Sequence, residues 1–167
     1  MLISNDGDIE LPIDLDEIIH AVETVLSHEG VERECSVSVS IVDEGEIQSL
    51  NAMWRDIDAP TDVLSFECDS PFDGEVPEGE VVELGDVILC PSVIVSQAPE
   101  FSSTPADEFR LMLVHGMLHL LGYDHIERDA AVEMEGRELE ILRSLAQERG
   151  VDPQTVAIGP TTSHLDD

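Results

Sequence analysis

Eleven residues, HGMLHLLGYDH from His115 to His125, restrict this chain more than any other stretch. Leu118, Leu120 and Leu121 mark a helix suited to the interior, yet three of the chain's six histidines fall inside the segment. Residues four apart share a helix face, so His115 and His119 can aim their rings at one ion. Gly122 lets the backbone leave the helix, and His125 can then swing back with a third nitrogen. Three neutral imidazoles suit zinc with one position open for water, the arrangement of a catalytic rather than a closed structural site. A single buried histidine is often only a hydrogen-bonded core residue, and HxxxH alone fits any helix. Three histidines at HxxxHxxGxxH spacing make a metal the better reading.

In the zinc-protease helix a glutamate follows the first histidine and acts as general base. Here that position is Gly116. A zinc ion lowers the pKa of its bound water toward ~7 without such a base, whereas charge growing on phosphoryl oxygens calls for metal or arginine. Arg55 is then of interest, as one of only seven cations, every one an arginine. It lies between a helix and a strand that could border the site. The plainer account is a surface charge paired with Asp56 or Asp58.

The pattern around this helix predicts a small α+β domain, three to four strands packed against several helices. Asp14 to His28 reads as an amphipathic helix carrying Leu15, Ile18, Ile19, Val22, Val25 and Leu26, with acids at its start. Cys35 to Asp43 alternates at period two, a strand with Val37, Val39 and Ile41 on one face. Glu44 to Arg55 suits a helix with Ile47, Leu50 and Trp54 inward. Thr61–Glu67 and Leu84–Cys90 are further strands, separated by a loop rich in Pro, Gly and acids. Pro91 favours a turn into a short helix. Thr104 and Pro105 suit the N-cap and first turn of the histidine helix, which Gly122 ends. Ile126 to Glu148 supports a last helix with Val132, Leu139, Leu142 and Leu145 as apolar positions. Residues 1–150 are expected to form a single domain and 151–167 a flexible tail.

Charge bounds the environment more than the function. Against seven arginines stand 38 acids, for a formal net charge of -31. Such a surface repels phosphate backbones at long range, which by itself argues against nucleic acid. A salty interior would screen that repulsion within a few ångströms. Cys35, Cys68 and Cys90 form no CxxC pair and read as reduced thiols of a cytoplasmic protein. No apolar run approaches the ~20 residues of a membrane span.

HGMLHLLGYDH resembles the signature of the YbeY family, zinc-dependent endoribonucleases of ribosomal RNA maturation. LNAMWRDIDAPTDVLSF, Leu50 to Phe66, is similar to a second block of that family, and GDVILCP, Gly85 to Pro91, to a third. The resemblance covers most of the chain from Cys35 to about Leu142. It implies one Zn2+ per chain on His115, His119 and His125, with Arg55 facing the metal cleft and meeting substrate phosphate. Thr61, Asp62 and Ser65 match the TDVLSF strand, whose edge is implied to line the same cleft. Asn51 is implied as an orienting group and Asp86 as a structural residue near the sheet edge. The implied fold is a small mixed β-sheet packed against helices, distantly like that of metzincin proteases. Asp124 stays open between accepting a bond from a ligand imidazole and being merely solvated. Glu67 and Cys68 depart from the family, which usually places a proline after TDVLSF.

The function expected from this resemblance is metal-dependent cleavage of single-stranded RNA in rRNA maturation and ribosome quality control. Attack by water at the metal and attack by the adjacent 2′-hydroxyl both stay open. Proteins of the small ribosomal subunit are the expected partners, with neither DNA nor membrane. So acidic a surface should lean on Arg55, the metal and a few shape-specific contacts, with Arg110, Arg128 or Arg137 near enough to help. Two other readings compete. A metallopeptidase would need proton delivery that Gly116 does not offer. A metal-stabilised ribosome-assembly factor without catalysis would need a fourth protein ligand, for which His164 is the remote candidate.

Overall fold

The computed structural model describes residues 1–158. The short apolar start becomes a strand, β1 (Leu2–Ser4), followed by β2 (Cys35–Ile41), β3 (Val63–Glu67) and β4 (Val82–Leu89). β2 pairs in parallel with both β1 and β4, and β3 runs antiparallel to β4, which gives a mixed sheet ordered β1-β2-β4-β3. Period-two alternation sets its two sides, as expected. Val37, Val39 and Ile41 are buried on the inner side with Val63, Val87 and Leu89.

Among the described residues five α-helices complete the fold: α1 (Leu15–His28), α2 (Glu44–Arg55), α3 (Pro91–Gln97), α4 (Pro105–Leu120) and α5 (Arg128–Glu148). Three of them start on side-chain caps. Asp14, Asp43 and Thr104 accept bonds from the backbone N–H groups of Glu17 at 2.8 Å, Glu46 at 2.8 Å and Asp107 at 3.1 Å. α4 lies at the centre, against β3, β4, α1, α3 and α5. Eleven of its 16 residues are buried, because a helix enclosed on all sides has no polar face to give to water. α2 covers part of the sheet's outer side, where Ile47 packs with Val42, Leu64, Ile88 and Cys90.

Some expected faces are corrected. Leu15, Ile19 and Trp54 are exposed. On α5, Val132 is 61% exposed, and the inward face runs through Ala131, Met134, Glu138, Ile141, Leu142 and Leu145. An acid at 138 hides the true phase of that helix from a count of apolar positions. Asp86 is near no sheet edge: β4 is an interior strand, and Asp86 is exposed opposite Phe66. The Pro- and acid-rich loop before β4 is held by Arg33, which donates to the carbonyls of Val76 and Pro77 at 2.8 and 2.7 Å. Of residues 151–167, Pro153–Thr155 forms a 3-10 turn, and Val156 and Ile158 pack against the core. Residues 159–167, His164 included, lie outside the described residues.

Candidate metal centre

The site is made where α4 ends. Gly122 adopts φ +100°, a conformation that suits glycine. Its N–H reaches the carbonyl of His119 at 3.0 Å, and the N–H of Tyr123 reaches that of Leu118 at 3.1 Å, a Schellman closure. The reversed chain lays the Tyr123 carbonyl beside His119, 2.9 Å from Nδ1. Asp124 is exposed and accepts at 2.5 Å from the N–H of Ile126, so it shapes the turn that carries His125.

His115, His119 and His125 then meet. Their ring centroids are 4.5, 5.1 and 4.9 Å apart pairwise, and one nitrogen from each lies within 4.8 Å of the others. The Nε2 atoms of His115 and His119 are 3.0 Å apart. Nδ1 of His115 faces a carboxylate oxygen of Glu138 at 2.6 Å, and both side chains are wholly buried. Two rings are therefore held by their δ nitrogens and turn their ε nitrogens toward each other, the outer support that imidazole ligands of a metal require. Burial first, and His125 second, push the pKa of His119 down to about 4, so this ring is neutral and able to coordinate at ordinary pH. Burial, with Glu135 adding, pushes Glu138 up to about 9. A cation on the far nitrogen of His115 would favour the opposite state, an N–H at Nδ1 and an ionised carboxylate accepting from it. The donor set fits a metal such as zinc, and no other group of three or more such side chains is placed to hold one among the described residues.

Glu138 is the residue the sequence does not single out. It is one of 38 acids, 23 positions beyond His115, and only its phase on the inward face of α5 could have marked it. Gly116 also finds its reason here. A Cβ at 116 would come within 2.8 Å of Val87 Cγ1 and 3.2 Å of both Ser65 Oγ and Val63 Cγ2. This side of α4 presses on β3 and β4, so a side chain larger than hydrogen at 116 would collide with the sheet.

An open cleft of about 610 Å³ leads to His119 and His125, within the roughly 300–1,000 Å³ of ligand sites. Trp54, Arg55, Leu64, Ser65, Phe66, Glu67 and Ile126 line it. Arg55 takes part in no ion pair with Asp56 or Asp58 among the described residues; Asp58 instead accepts from Gln48 at 3.0 Å. Ser65 reaches the cleft, but its hydroxyl donates to the Gly116 carbonyl at 2.9 Å. Thr61 and Asp62 are buried and do not line it. Asp62 accepts from the N–H of Val63 at 2.7 Å and from Gln97 at 2.7 Å, which ties the start of β3 to α3. Asn51 orients through the backbone: its amide donates to the Ala59 carbonyl at 2.9 Å and holds the loop that follows Arg55. Arg110 is engaged by Glu17 and Asp107 at 2.6 and 2.7 Å, Arg137 faces Glu29 at 3.9 Å, and neither they nor Arg128 line the cleft.

The chain is similar to known proteins over most of its length. The family model described as Endoribonuclease YbeY matches residues 3–146. An Endoribonuclease YbeY of Acinetobacter baumannii is 41% identical over 137 residues, which covers 81% of this chain and 86% of the relative. One from Acidothermus cellulolyticus is 39% identical over 149 residues, 85% of this chain and 91% of the relative. The solution structure of TM1509 from Thermotoga maritima superposes with a TM-score of 0.58 at 26% identity, covering 95% of this chain and 97% of that one.

Proposed function

The chain belongs to the YbeY family of endoribonucleases, and from that premise we propose that it cleaves single-stranded RNA with a zinc ion held by His115, His119 and His125. Ribosomal RNA in maturation and quality control is the substrate, the cytoplasm is the compartment, and proteins of the small ribosomal subunit are the partners that bring RNA to so acidic a surface. No helix among the described residues is long and apolar enough to cross a membrane. The observation that carries the reading is the three-imidazole cluster at the foot of an open cleft that Arg55 also lines.

A bound zinc ion would supply a Lewis acid and a water of lowered pKa. The chain supplies the rest. Glu138 and the Tyr123 carbonyl hold the rings of His115 and His119 in orientation. Arg55, with no ion pair among the described residues, is available to a phosphoryl oxygen, where its charge counts most as negative charge builds in the transition state. Gly116 against the sheet leaves no side-chain base at the position a zinc peptidase uses, which disfavours amide hydrolysis. Three protein ligands in an open cleft disfavour a purely structural ion.

The test is zinc content and cleavage of single-stranded RNA by the full chain and by His115→Ala. One zinc per chain and cleavage, both lost in the variant, are expected. Protein prepared without chelator that holds no transition metal would end the enzyme reading.

A further inference from the structure

We propose that Trp54, backed by Phe66, is a stacking platform for a base of single-stranded RNA at the mouth of the metal cleft. The inference rests on the endoribonuclease reading and names what grips the substrate of that site.

Trp54 is the chain's one tryptophan and is 65% exposed. Tryptophan is on average highly buried, so an exposed one calls for a reason. The core does not need it: α2 packs inward through Ile47 and Asn51. Its ring instead meets Phe66 on β3 edge to face, centroids 6.0 Å apart at 62°. That contact steadies the indole while most of its surface stays open to solvent. Trp54 and Phe66 line the same cleft as Arg55, His119 and His125, and Ile126, 87% exposed, adds apolar surface there. A nucleotide whose phosphate met Arg55 would have Trp54, the preceding residue, within reach of a neighbouring base.

Charge explains why stacking should matter here. Arg55 is the only arginine lining the cleft, while Glu67 and Asp124 line it as acids, on a chain of net charge -31. Proteins that bind single strands usually combine a cationic groove with aromatic platforms, and the groove carries the salt dependence. This cleft lacks the groove and keeps the platform. Stacking is nearly indifferent to salt and tolerates any base, because every base has a π-face. Salt also screens the repulsion between an acidic protein and RNA, from a range of about 10 Å at 0.1 M to about 3 Å at 1 M. Binding that relies on Trp54 should therefore persist in salt that strips RNA from a basic protein.

With one tryptophan, intrinsic fluorescence reads the platform directly. The zinc-loaded full chain is titrated with a single-stranded 2′-O-methyl phosphorothioate oligonucleotide, which resists cleavage, and with an abasic oligonucleotide of equal length. Saturable quenching by the first and not the second is expected, and it should survive 1 M salt. Trp54→Ala should weaken binding by about 5- to 100-fold, read by anisotropy of a labelled oligonucleotide, and Trp54→Phe should recover most of the loss. Cleavage of unmodified RNA without quenching would overturn the platform and leave the endoribonuclease reading intact. Equal quenching by the abasic strand would overturn it too, since the contact would then be to the backbone. Base-dependent quenching without any cleavage would support the platform and end the nuclease reading.

Discussion

Replacing Glu138 tests how the metal centre is held. Its carboxylate is fully buried, 2.6 Å from Nδ1 of His115, on a helix that contributes no ligand. If it fixes the ring and favours the N–H at Nδ1, losing it should cost about 10- to 100-fold in zinc affinity, or about 1.4–2.7 kcal/mol. Glu138→Gln keeps an acceptor oxygen and loses the charge, so it should fall near the tenfold end. Glu138→Leu removes the bond and should fall near the hundredfold end. The assay is competition for Zn2+ against a chelator of known affinity, alongside thermal unfolding with and without metal. Because bound metal stabilises the folded state in proportion to the logarithm of its affinity, zinc should raise Tm by about 3–11 °C less in the variants than in wild type. Ile141→Val, equally buried on α5, is the control for packing; it should lower stability by about 0.5–1.5 kcal/mol and spare affinity. Wild-type zinc affinity in folded Glu138→Leu protein would refute the orienting role.

Other perturbations have separable outcomes. Arg55→Ala should retain zinc and lose about 10²–10³-fold in RNA cleavage; unchanged cleavage by metal-replete protein would remove Arg55 from the mechanism. Gly116→Ala places a methyl 2.8 Å from Val87 Cγ1, and overpacking of about 1–3 kcal/mol is offset in part by about 1 kcal/mol of helix propensity. Val87→Ala should relieve the clash, so thermal unfolding of the two single variants and the double should be clearly non-additive, and additivity would refute the contact. In the metal-free protein the His119 pKa, at about 4, lies below its ordinary 6.5. Stability tied to neutral His119 is present above pH 6.5 and lost as pH falls toward 4. The metal-free Tm should drop across that window and drop less in His119→Gln; equal pH profiles would refute the assignment.

What sequence alone determined is what depends on near neighbours. Four-residue spacing puts His115 and His119 on one helix face whatever surrounds them, and Gly122 permits the left-handed turn that returns His125. The cap at Thr104 and the alternation of β2 were legible for the same reason, since each is satisfied within a few residues. The tertiary structure decided whatever depends on which surfaces meet. Among 38 acids nothing local distinguishes Glu138, and its role arises only because α5 lies against α4 and closes it off from water. That the sheet lies against Gly116 and leaves no room for a larger side chain depends on β3 and β4 arriving from elsewhere in the chain. Thr61 and Asp62 share a motif with Ser65 but are buried, outside the lining of the cleft, because the chain passes from the interior to the cleft along β3. Trp54, expected inward, faces solvent because Ile47 and Asn51 already fill the contact of α2 with the sheet. Spacing along the chain is written in the sequence; burial is a property of whatever arrives from far along it.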